Sequence, residues 1–293
     1  MVKLALGMIV FNGMPFVEGV LKTFYPYVDQ IVVAEGPVKF WHDQGYERSG
    51  DRTVELLMDL QDKWGSSKIR FTRSSTWRDK LEMCQGWFSL LNDDITHVAV
   101  MDADEFMHAK DILHVKSLLG RYDSVGLMLR TFVGGFTHYL TGFEQKQDTI
   151  RFLRRCPGDE YISHRPPTIG QPYQEGQHLD SLAMAQMGVY LYHYSHVLPS
   201  QVKAKEQYYA RYIGNRNVIP GYYESIWKPW VLGNERTKAR IEQIWGGIHD
   251  FHPRYRGECR SAIFHGYHPR WIEQNKERIL EIQKEQIHDG EAE

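Results

Sequence analysis

The chain has 293 residues, 42% hydrophobic and 25% charged, enough apolar material for one large domain or two modest ones. Thirty-five Lys and Arg against 37 Asp and Glu leave a net charge of −2, which excludes a global pull toward nucleic acid or anionic membrane. Cys84, Cys156 and Cys259 stand far apart without CxxC spacing, so neither a disulfide framework nor a thiolate zinc site is expected, and a reducing compartment fits.

Leu4–Phe11 is a continuous apolar run, as expected of a strand buried on both faces. The run from Met1 is too short for a signal-peptide core with its cleavage site, and no apolar run reaches the length of a membrane span, so a cytoplasmic location is expected. Pro15 opens a helix that carries Phe16, Val20, Leu21 and Phe24 on one face. Gln30–Ala34 reads as a strand, Thr53–Trp64 as a helix with Val54, Leu57 and Leu60 in period, and Ile69–Thr72 as a short strand. Trp77–Leu91 reads as a helix aligning Leu81, Cys84 and Phe88, and His97–Met101 as a buried strand that stops at Asp102-Ala103-Asp104-Glu105. Such alternation predicts a parallel sheet flanked by helices, with ligands beyond the carboxyl ends of its strands. Asn12, Glu35 and the pair Asp102/Asp104 stand at three such ends.

Beyond about residue 132 the pattern changes. Gly134-Gly135 and Cys156–Gln177 read as loops, Val189–Tyr194 as a strand, and Gln201–Tyr212 and Trp271–Gln286 as helices. The expected fold class is α/β: a mostly parallel central sheet flanked by helices, with a helical, aromatic-rich C-terminal extension. The expected organisation is one domain over residues 1–195, in two halves over about 1–130 and about 131–195, then an extension over 196–293.

Two carboxylates two residues apart, just past a strand, can aim at one point, and hard oxygen ligands suit Mg²⁺ or Mn²⁺ shared with a substrate diphosphate. The segment ITHVAVMDADEFM, from Ile95 to Met107, resembles the strand and metal loop of glycosyltransferase A-fold enzymes, most nearly the family 2 type. The opening LALGMIVFNGMPFVEGVL is similar to that family's first strand and helix. Gln30–Gly36 with Ser49-Gly50-Asp51-Arg52-Thr53 resembles its second strand and the entry to the next helix, although Glu35 stands where the family more often has Asp.

The resemblance implies a nucleotide-sugar donor, a UDP-sugar first among them, lying across the strand ends. Asn12, Glu35 and Asp51 would sit near the nucleoside, Arg78 or Lys80 near the diphosphate, and Asp102 and Asp104 on the metal. It also implies a downstream His on the metal, His193 before His196, ahead of a helix with Lys203 and Lys205. Inverting transfer needs a carboxylate base, for which Asp180 and then Glu175 are the candidates.

The expected function is metal-dependent transfer of a sugar to a hydroxyl acceptor such as a glycan. Residues 196–270 hold twelve Lys and Arg against six Asp and Glu among many Tyr and Trp, which offers an alternative acceptor, modified bases of DNA gripped through Arg254, Arg256 and Arg260. A solvated basic face over core aromatics accounts for the same pattern. A non-catalytic nucleotide-sugar or carbohydrate-binding module is the reading from another class. A nucleotidyltransferase ranks lower, because Gly13-Met14-Pro15 is a poor phosphate-binding stretch. His249/His252 and His265/His268 have HxxH spacing without a Cys or Glu partner pattern, so acceptor contacts or structural hydrogen bonds are expected of them rather than zinc.

Overall fold

A computed structural model describes residues 1–170, 176–210, 221–245 and 259–289. In chain order the elements are β1 (Leu4–Val10), α1 (Phe16–Phe24), β2 (Gln30–Glu35), α2 (Lys39–His42), α3 (Thr53–Trp64), β3 (Ile69–Arg73), α4 (Lys80–Phe88), β4 (His97–Val100), β5 (Glu105–Phe106), α5 (Ala109–Leu118) and β6 (Ser124–Leu127). There follow β7 (Leu129–Val133), β8 (His138–Gly142), α6 (Phe143–Lys146), β9 (Thr149–Arg154), β10 (Tyr161–His164), β11 (Pro167–Ile169), β12 (His178–Leu179), α7 (Ser181–Gln186) and β13 (Leu191–His196). The chain continues through α8 (Pro199–Ala210), a π-helical turn (Tyr223–Trp227), α9 (Lys228–Leu232), α10 (Glu235–Trp245), β14 (Cys259–Ile263) and α11 (Arg270–Asp289).

These elements form two compact units, one of Met1–Leu127 with Asp148–Tyr190, the other of Met128–Gln147 with Leu191–Glu293. Each unit is drawn from two stretches of the chain.

The first unit is built on a seven-stranded sheet ordered β12-β6-β9-β4-β1-β2-β3 and flanked by helices, which makes the fold α/β as expected. β1 pairs in parallel with both β2 and β4, β3 pairs in parallel with β2, and β9 alone runs antiparallel, inserted between β4 and β6. β1 and β2 are buried on both faces, as their unbroken apolar runs require. Gly7 in β1 leaves room for the fully buried Trp87 of α4. A methyl group at Gly7 would fall inside contact distance of the indole ring, so Gly7→Ala should cost about 1–3 kcal/mol, read as a lowered urea midpoint.

α4 begins at Lys80, three residues later than periodicity alone suggests. Asp79 caps it by accepting the Glu82 N–H (2.9 Å), while Glu82 reaches back to the Arg78 N–H. The Cys156–Gln177 stretch, expected to be loop, contains the antiparallel β10–β11 hairpin. At the sheet's other edge, the two-residue β12 is stitched to β6 by Ser124 Oγ and His178 Nδ1 (2.7 Å), and His178 Nε2 meets Asp148 Oδ2 (2.6 Å).

In the second unit β14, β8, β7 and β13 form a sheet in which only β7 and β13 are parallel. Phe132 and Tyr194 stack at 5.0 Å on one part of it, and Tyr222, Tyr223, Trp227 and Trp230 are buried in another cluster with Val133, Leu140 and Val202. Those four rings, among the aromatics of the basic 196–270 stretch, are core.

Candidate functional site

In the first unit the chain moves outward from β1 through β2 to β3 and then returns to the opposite side of β1 for β4. The strand order therefore reverses between β1 and β4, and in open α/β sheets the crevice at the carboxyl ends of such a pair is where ligands bind. β1 ends at Val10, ahead of Asn12, and β4 ends at Val100, ahead of Asp102 and Asp104.

Asp102 to Glu105 is a closed turn. The Glu105 N–H donates to the Asp102 carbonyl (3.1 Å), and the Asp102 N–H donates to Glu105 Oε2 (2.9 Å). Glu105 has no exposed side-chain surface and receives a two-pronged grip from Arg151, Nε to Oε2 at 2.7 Å and Nη2 to Oε1 at 2.5 Å. Arg151 is itself only 3% exposed. This buried pair, which sequence reasoning did not identify, locks the turn from below. Asp102 is 27% exposed; its Oδ2 accepts from Arg165 Nη2 (2.5 Å) and lies 3.7 Å from Arg151 Nη2.

Arg165 comes from the tip of the β10–β11 hairpin, whose base is anchored on α4. Tyr161 packs between Trp87 and Phe88, Gln85 Nε2 donates to the Tyr161 carbonyl (3.2 Å), and Cys84 Sγ meets His164 Nδ1 (3.6 Å). Burial pushes the Cys84 thiol up to about 12, so it is no nucleophile at neutral pH. Burial, then the charge of Arg165, pushes the His164 imidazole down to about 4, against the opposing pull of Asp102. An unfolded imidazole titrates near 6.5, so between about pH 6.5 and 4 the unfolded chain takes a proton that the folded ring refuses. Stability should fall as pH falls through that window, and His164→Gln should make the fall of the urea midpoint shallower.

The nucleoside-side candidates form a clasp between two loops. Asn12, at φ +53°, accepts the Gly50 N–H on Oδ1 (2.7 Å) and donates its own N–H to Ser49 Oγ (2.8 Å). Asp51 accepts from the Met14 N–H (2.9 Å) and the Thr53 N–H (3.0 Å). Glu35 is 1% exposed and takes the Ser49 N–H on Oε1 (2.9 Å) and Arg73 Nε on Oε2 (3.2 Å). Arg73, Arg48, Glu47, Ser74 and Ser75 line an open cavity of about 240 Å³ beside it. Arg78 is exposed and bonded to Asp79 (3.2 Å), and Lys80, at the first turn of α4, is close enough to bear on His164.

Asp180 is the N-cap of α7, its carboxylate accepting the Ala183 N–H (2.8 Å); Glu175 lies outside the described residues. His193 and His196 are on β13 of the second unit, where His193 is in register with Thr131 and the His196 carbonyl accepts from Trp227 Nε1 (2.9 Å). His268 has a structural role, its ring nitrogens meeting the Tyr194 hydroxyl (2.8 Å) and the Phe136 carbonyl (2.9 Å). Arg260 donates to the Glu242 carbonyl, while His249, His252, Arg254 and Arg256 lie outside the described residues.

Asp102 and Asp104 offer oxygen donors of the kind Mg²⁺ or Mn²⁺ takes, and the cations on Asp102, Arg165 and Arg151, stand where such an ion would compete for that carboxylate. Glu105 is committed to Arg151. Two carboxylates completed by water or substrate oxygens are a donor set that such an ion takes. No helix among the described residues is long and apolar enough to cross a membrane.

No family model matches the chain, and no curated protein matches it. Among solved structures it is similar to the mannosyltransferase PcManGT from Pyrobaculum calidifontis in complex with GDP-Man and Mn²⁺, at 14% identity and a TM-score of 0.39, covering 83% of this chain and 74% of that one. It is also similar to S. aureus TarS 1-349 in complex with UDP-GlcNAc, at 10% identity and a TM-score of 0.34, covering 46% and 36%. A third is 4-diphosphocytidyl-2C-methyl-D-erythritol synthase from Anaerococcus prevotii DSM 20548, at 11% identity and a TM-score of 0.32, covering 75% and 78%. The chain spans between 23% and 47% of the length of the TarS chains it matches. Likenesses this distant leave the chemistry to be argued from the site itself.

Proposed function

We propose that the chain is a metal-dependent glycosyltransferase of the glycosyltransferase A type, moving a sugar from a nucleotide-sugar donor to a hydroxyl acceptor such as a glycan. The observation that carries the reading is the Asp102/Asp104 pair on a locked turn beside the point where the strand order reverses. A bound Mn²⁺ or Mg²⁺ would supply charge neutralisation for the leaving diphosphate. The chain's own residues do the rest. Asp102 and Asp104 hold the ion's place, Glu105 and Arg151 fix the turn that aims them, and the clasp through Asn12 and Asp51 shapes the nucleoside edge.

Glu35 acts as a positioning residue through Ser49 and Arg73, since it is too deeply buried to touch a base. Lys80 and Arg78 serve the diphosphate side. His193, with His196 behind it, remains the proposal for a further metal ligand, and Asp180 for the base that takes the acceptor's proton. The sugar's C1–O bond breaks with its electron pair going to the diphosphate, and the acceptor oxygen bonds to C1 as its proton passes to that base.

The test is a thermal-shift panel of UDP-, GDP-, TDP- and CMP-sugars, each with and without Mn²⁺. A donor at 100 times its dissociation constant adds about 2.7 kcal/mol, a readily seen shift. One nucleotide should stabilise the protein only with metal, and His193→Ala should weaken that response. No metal-dependent shift with any donor would overturn the reading. Donor binding without detectable transfer would replace it with the binding-module alternative.

A further inference from the structure

We propose that Arg165 is a further side chain on the donor's diphosphate, beside Lys80 and Arg78, changing partner from Asp102 to the phosphate oxygens when that carboxylate turns to a divalent ion. This rests on the glycosyltransferase reading and adds a catalytic residue to it.

Two guanidinium groups face the same oxygen of Asp102, and they are not equivalent. Arg151 is buried, and both Nε and Nη2 donate to Glu105, so its position is fixed. Arg165 is 51% exposed on a hairpin tip. The hairpin itself does not need to move, because Tyr161 at its base and His164 just before the turn hold it to α4, while Arg165 and Pro166 lie exposed at the turn.

Arginine's planar fork matches a phosphate as well as it matches a carboxylate, so one side chain can serve both partners in turn. A diphosphate that came to share an ion with Asp102 would be close to the carboxylate that Arg165 already touches, and so within reach of its side chain.

The exchange has an energetic consequence. A guanidinium seated on Asp102 repels an incoming dication and competes for its ligand, so metal alone should bind weakly. A nucleoside diphosphate gives Arg165 a new partner and removes that competition. Metal and nucleotide should therefore bind cooperatively, each tightening the other by the same factor. As the C1–O bond breaks, its electron pair passes to the diphosphate, and the guanidinium meets that charge where it develops.

The experiment is calorimetric titration of the intact chain with MnCl₂ alone and with MnCl₂ in the presence of UDP or GDP, followed by transfer kinetics with the donor found by the panel. For the wild type, nucleoside diphosphate should tighten Mn²⁺ by about tenfold or more, within the usual range of coupling between sites. Arg165→Ala should bind Mn²⁺ alone more tightly than the wild type, lose the cooperativity, and lower kcat by about 10²–10³-fold. Arg165→Lys should restore part of the cooperativity, which separates loss of charge from damage to the hairpin. If Arg165→Ala changes neither Mn²⁺ affinity nor cooperativity while Asp102→Asn abolishes Mn²⁺ binding, the role of Arg165 is refuted and the donor–metal reading stands. If the wild type binds no Mn²⁺ with either nucleotide, both fail together.

Discussion

Glu105→Ala should be among the most destabilising single substitutions in the first unit, costing about 3–5 kcal/mol and lowering its melting temperature by roughly 10 °C. The reason is the partner left behind. Arg151 is 3% exposed and places Nε and Nη2 on the Glu105 carboxylate, so truncation strands a buried guanidinium with little water to solvate it. The Asp102 N–H loses its acceptor as well, and the turn that presents Asp102 and Asp104 loosens. A double substitution, Glu105→Leu with Arg151→Met, should recover most of the stability, because neither charge then needs compensation. Activity should not recover with it, since the hydrogen bond that shapes the turn is still missing. Equal melting temperatures for Glu105→Ala and the wild type would refute the account of the pair as the turn's lock.

Asp104→Ala should do the reverse, leaving the fold within about 0.5 kcal/mol of the wild type and lowering transfer by at least roughly 10²-fold. Asp104 is half-buried in the same turn, just past the carboxyl end of β4, and the proposed reaction needs its carboxylate to help hold the charge that neutralises the leaving group. Treating the wild type with a chelator should reproduce the loss, and added Mn²⁺ should reverse it in the wild type only. An Asp104→Ala protein that melts normally and transfers sugar at the wild-type rate would remove the carboxylate pair from the mechanism. The two substitutions separate the roles of neighbouring acids: Glu105 holds the turn, and Asp104 works from it.

Much of the first unit is legible in the chain itself. Leu4–Val10, Gln30–Glu35 and His97–Val100 form strands buried on both faces, and their unbroken apolar runs say so without reference to anything distant. α3 spans Thr53–Trp64, the range that its apolar period defines. α4 shows where periodicity stops being enough: the Asp79–Glu82 cap sets its start, three residues inside the range that the apolar period suggests. The β10–β11 hairpin was not legible, because Pro and Gly composition argues for loop and the contacts that hold it come from Cys84, Gln85, Trp87 and Phe88, far away in the chain.

The candidate site divides in the same way. Asp102 and Asp104 are conspicuous because two acids two residues apart end an apolar strand, a purely local pattern. Glu35 was legible by position but not by role. Its place at the end of β2 suggested contact with a base, and only the packing reveals that both its oxygens face Ser49 and Arg73. Arg151 and Arg165 carried no signal at all, since they lie 46 and 63 residues from the carboxylates they meet. Sequence by itself determined the strands, the helices between them and the acidic turn, because hydrophobic periodicity and residue chemistry act over a few residues. Tertiary structure decided where β9 inserts, which cation sits on which carboxylate, and that four of the C-terminal aromatic rings are core. Those outcomes depend on which distant surfaces exclude water together, and no local pattern encodes that.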